Sequence, residues 1–146
     1  MNIRSVYFGF CLALAGIFIF NAVNAQPQHP YCTKALRDVR TAQGFLLQIT
    51  GGKAMSHNEK EALRLINMIV RDIQDAAIDN GKESGDNLKT AKRLDDAARI
   101  KQCIEYLKKA KDELSRENDS QFAGGLRDRS IKNCDEAIKF VERANH

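Results

Sequence analysis

Past residue 25, the apolar residues of this chain recur at steps of three and four in four separate stretches, and nowhere do they alternate in twos. Such spacing draws one apolar stripe along each of four helices, and each stripe has to be buried against another. The first stretch carries Cys32, Ala35, Leu36, Val39, Ala42, Leu46 and Ile49 behind the leader Gln26-Pro27-Gln28-His29-Pro30, and Thr50-Gly51-Gly52 ends it. Glycine readily takes the left-handed conformation that closes a helix. The second opens on Ser56-His57-Asn58-Glu59, a capping box in which serine and glutamate satisfy each other's backbone amides. It continues through Leu63, Ile66, Ile69, Val70, Ile73 and Ala77 to a stop near Asn80-Gly81.

The polar run Gly81 to Asn87 has no apolar period and reads as the longest loop. A third helix is expected from about Thr90 to Glu117, with Leu94, Ala97, Ile100, Cys103, Leu107, Ala110 and Leu114 as its seam. Asn118-Asp119-Ser120 makes a turn, and the fourth helix carries Leu126, Ile131, Cys134, Ile138 and Val141, with Ala137 and Phe140 beside them. The expected fold is all-α, an up-down-up-down four-helix bundle.

Ahead of these stretches, Arg4 precedes the apolar run Val6 to Phe20, and Asn21-Ala22-Val23-Asn24-Ala25 ends in small residues. This is the pattern of a secretory signal cleaved after Ala25. The run is too short to span a bilayer, which takes about 20 apolar residues. Residues 1–25 are therefore expected to be a signal peptide and residues 26–146 one helical domain without a membrane span, periplasmic or secreted. That domain holds 22 basic and 19 acidic residues, a net charge of +3. The two signs are interleaved along the chain, as in Lys108-Lys109-Ala110-Lys111-Asp112-Glu113. Such mixing argues against a nucleic-acid partner.

Export would leave Cys32, Cys103 and Cys134, an odd number in an oxidising compartment. Cys103 and Cys134 flank Asn118-Asp119 symmetrically and both fall on seam positions, so a disulfide between them is expected. Cys32 then stays a free thiol, either packed at the end of the bundle or reactive through the helix N-terminus.

Motifs for haem attachment, dinuclear metal bundles, zinc proteases, phosphate loops and nucleophile elbows are all absent from the sequence. No catalytic residue and no cofactor is expected. In an up-down-up-down bundle the start of the first helix and the end of the fourth share a pole, where His29, Glu142 and His146 form a weak candidate metal set.

Ala76-Ala77-Ile78-Asp79-Asn80-Gly81-Lys82, Gly125-Leu126-Arg127-Asp128-Arg129 and Asp135-Glu136-Ala137-Ile138 resemble a set of small bacterial secreted proteins of unknown function, as do His29-Pro30-Tyr31 and Ala35-Leu36-Arg37-Asp38-Val39-Arg40. The resemblance implies an exported helical bundle and no nameable activity. Lys34 stands where those proteins often place a histidine. The functional expectation is a non-enzymatic binding module with a protein or envelope partner. The alternative is a ligand or metal carrier using the bundle interior or the histidine-bearing pole.

Overall fold

The computed structural model describes residues 30–48, 53–77, 94–117 and 125–144. They form four helices: α1 (Pro30–Leu47), α2 (His57–Ala77), α3 (Asp96–Arg116) and α4 (Leu126–Ala144). Among the described residues there is no strand. Local chemistry sets the helix starts. Pro30 is the first residue of α1, where its missing amide costs no hydrogen bond. The capping box forms as expected: Ser56 donates its N–H to Glu59 Oε2 at 2.7 Å, and Glu59 N–H reaches Ser56 Oγ at 3.2 Å. α3 begins at Asp96, later than the expected Thr90. Asp95 accepts from Ala98 N–H at 2.7 Å and caps the helix there.

Pairs between helices fix their directions. Arg99, near the start of α3, donates to the carbonyl of Leu46 at the end of α1, and Cys32 N–H at the start of α1 donates to Glu117 at the end of α3. α1 and α3 are therefore antiparallel. Arg99 also meets Glu59, so α2 and α3 begin at the same end and run parallel. Arg129 at the start of α4 holds Asp72 late in α2, and Lys111 of α3 holds Asp135 of α4. The all-α four-helix bundle stands, but its order is up-down-down-up, not the expected up-down-up-down. At the top, α1 and α4 end while α2 and α3 begin; the bottom is the reverse.

The physical reason lies in the connections. Nine residues separate α1 from α2 and α3 from α4, whereas eighteen separate α2 from α3. Eighteen residues reach about 60 Å when extended, twice the roughly 30 Å length of α2, so the link leaves the direction of α3 undetermined. α1 packs chiefly on α3 and α2 on α4, which sets α2 and α3 on one diagonal.

The core is one cluster. Leu46, Ile66, Ile69, Ile73, Leu107, Leu114, Val39 and Val141 are fully buried, and Ala35, Ala42, Ala62, Ala110 and Ala137 let the backbones approach. Phe45 stacks on Tyr106 with ring centroids 5.7 Å apart. Leu36, Leu63, Val70, Ile131 and Phe140 are only partly buried against this cluster.

The expected disulfide is not formed. Cys32, Cys103 and Cys134 are free and buried. The Lys111–Asp135 pair and the Arg127 hydrogen bond to the Glu117 carbonyl centre the α3–α4 hairpin near residue 122, not at 118–119. α3 stops at Arg116 but α4 starts only at Leu126, and this asymmetry shifts the register. Cys134 is then level with about residue 111, and Cys103 stands about 12 Å further along the bundle. A disulfide needs alpha carbons within about 6.8 Å.

Candidate functional site

The densest polar arrangement lies at the top, where α2 and α3 begin. Arg99 is 5% exposed and Glu59 6%, which is unusual for charged residues. Glu59 faces inward because its place in the capping box puts it at the third helical position, on the same face as Ala62 and Ile66. Arg99 comes in from α3 one position before the seam residue Ile100. Its Nη2 donates to Glu59 at 2.5 Å, its Nε to Asp96 at 3.0 Å and its Nη1 to the Leu46 carbonyl at 3.2 Å. Lys53 adds a 3.2 Å pair with Asp96 from the solvent side.

Burial by itself would raise the Glu59 carboxyl, but hydrogen bonds from the Ser56 amide and Arg99 outweigh it and hold the group below its ordinary range. For Arg99, burial would lower the guanidinium; the bonds to Glu59 and Asp96 overcome that and raise it. Both stay charged. A cleft of about 400 Å³ opens over the cluster, with Lys53, Ser56, Glu59, Asp96, Arg99 and Ala144 among its lining.

The bottom pole holds a second set. The Glu117 carboxylate, 5% exposed, accepts from Cys32 N–H at 3.1 Å and so satisfies an amide in the first turn of α1. Arg127 Nη1 donates to the Glu117 carbonyl at 3.0 Å, and Arg129 Nε reaches Asp72 at 2.8 Å. Between the poles, Ser130 and Asn133 of α4 face the core, and Ser130 Oγ and Asn133 Nδ2 meet no hydrogen-bond partner among the described residues.

The thiols are inert in this setting. Burial pushes Cys32 far up, with the Glu117 charge and a thiol–carboxylate hydrogen bond adding to it. A helix N-terminus lowers a thiol, but here burial outweighs that and a buried carboxylate adds to it. Burial likewise raises Cys103 and Cys134 to about 12 each. Nucleophilic chemistry needs the thiolate, which is scarce at neutral pH under these conditions.

Of the candidate metal set, Glu142 alone lies among the described residues. His29 and His146 lie outside the described residues, but α1 starts at the bottom and α4 ends at the top, so Glu142 and the start of α1 stand at opposite poles. Among the described residues no group of three or more histidine, cysteine, aspartate or glutamate side chains could hold a metal ion. No described helix is long and apolar enough to cross a membrane.

Sequence reasoning named neither Arg99 nor Glu117 as buried. The signal that could have found Arg99 is its place beside Ile100, preceded by an acidic N-terminal pair, Asp95-Asp96. No family model, no curated protein and no solved structure matches the chain.

Proposed function

We propose that this chain is exported to the periplasm or beyond and serves there, without catalysis, as a binding module for a partner in the cell envelope. One observation carries the reading: the charged side chains drawn into the described bundle already have partners within it. Glu59 and Asp96 both hold Arg99, and Asp72 holds Arg129. An acid–base site needs groups that converge on a space a substrate can occupy, with protonation states poised near the working pH. Glu59 and Arg99 are instead held firmly in their charged forms, and the thiols in their protonated ones. What is left for recognition is the outer surface. The resemblance to small exported bacterial proteins and the Arg4 to Ala25 signal pattern support the compartment.

The second reading, a ligand carrier, is favoured by the 400 Å³ cleft at the top. A ligand there would have to displace Lys53 from Asp96 or share Arg99 with Glu59. Recovery of the protein from its own host separates the two readings. Edman sequencing starting at Gln26 and a copurifying protein or envelope fraction support the module. A stoichiometric small molecule or metal found by mass spectrometry, with no macromolecule, would replace it with the carrier.

A further inference from the structure

We draw no further inference here: the strongest candidate, the cleft at the top of the bundle over the starts of α2 and α3, belongs to the site already described, and its charged lining residues Lys53, Glu59, Asp96 and Arg99 are paired with one another and name no ligand.

Discussion

Replacing Glu59 with glutamine isolates the buried charge at the top of the bundle. Glutamine is the other residue a capping box accepts, and its amide oxygen can still take the 2.7 Å hydrogen bond from Ser56 N–H. What it removes is the negative charge facing Arg99, whose side chain is 6% exposed, as Glu59's is 8%. Breaking a buried ion pair by removing one partner costs about 3–5 kcal/mol, because the other charge is left without compensation. Asp96 and the Leu46 carbonyl stay bound to Arg99, so the cost should fall at or just below the lower end, about 2–3 kcal/mol. With a urea dependence of about 1.5 kcal/mol per molar, the unfolding midpoint should drop by about 1.3–2 M.

The pH dependence supplies a second check. Glu59 is held below its ordinary value of 4.5 in the folded state. Its contribution is therefore complete above that value and is lost as pH falls through the lower folded value. The gap between the parent and Glu59→Gln should be full at pH 7 and should close on acidification below about pH 4. Glu59→Leu combined with Arg99→Met should recover most of the loss, since an apolar pair of similar volume avoids the desolvation of both ions. A midpoint for Glu59→Gln within about 0.3 M of the parent, or a gap that does not change between pH 7 and pH 3, would refute the buried-pair account.

Ser130→Ala should raise stability by about 0.5–1 kcal/mol in the same urea titration, because it deletes a buried hydroxyl that meets no partner among the described residues. Cys103 and Cys134 should resist a thiol reagent at pH 8 in the native protein and react promptly in urea, as both sit near pKa 12 when folded; non-reducing peptide maps should show no bridge between them. A zero-length carbodiimide should join Lys53 to Asp96, whose groups are 3.2 Å apart. In an up-down-up-down order the same residues would stand at opposite poles, about 30 Å apart, and that peptide would be absent.

The existence of the four helices is legible because periodicity and capping are local. Ser56 and Glu59 announce the start of α2 in four residues, and the structure forms both of their bonds. The seam of α3 is equally readable, with Ile100, Cys103, Leu107, Ala110 and Leu114 all buried. Helix direction is not local. The bundle order follows from which pole Arg99 and Glu117 reach, and their helical spacing alone does not reveal a partner forty residues or more away in sequence. The cysteine register failed for a related reason. Moving the centre of a hairpin by four residues displaces paired positions by twice that number, so the expected turn at Asn118-Asp119 was too coarse a ruler for a disulfide. Ser130 and Asn133 were missed because polar residues on a helix are ordinarily assigned to its wet side, yet both lie on the inner face of α4.

The polar poles also explain why this connectivity wins over its alternative. An up-down-up-down order would invert α3 and α4 together. Glu117 would then arrive at the top, facing the buried carboxylate of Glu59, with Arg99 removed to the bottom. Glu59 would lose Arg99, Asp72 would lose Arg129, and the first turn of α1 would lose the carboxylate that accepts from Cys32 N–H. Each buried charge would lose its present partner, a cost of about 3–5 kcal/mol where nothing replaces it. The apolar seam of α3 would suffer less, because Ile100, Leu107 and Leu114 are spaced evenly enough to pack in either direction. Hydrophobic burial thus assembles four helices into a bundle, while the Arg99–Glu59 pair and the Glu117 hydrogen bond to Cys32 N–H, at opposite ends of α3, choose its direction. An Arg99→Glu exchange with Glu117→Arg should therefore shift the Lys53–Asp96 cross-link toward the inverted order. Retention of that cross-link in full would show that these charges do not set the topology.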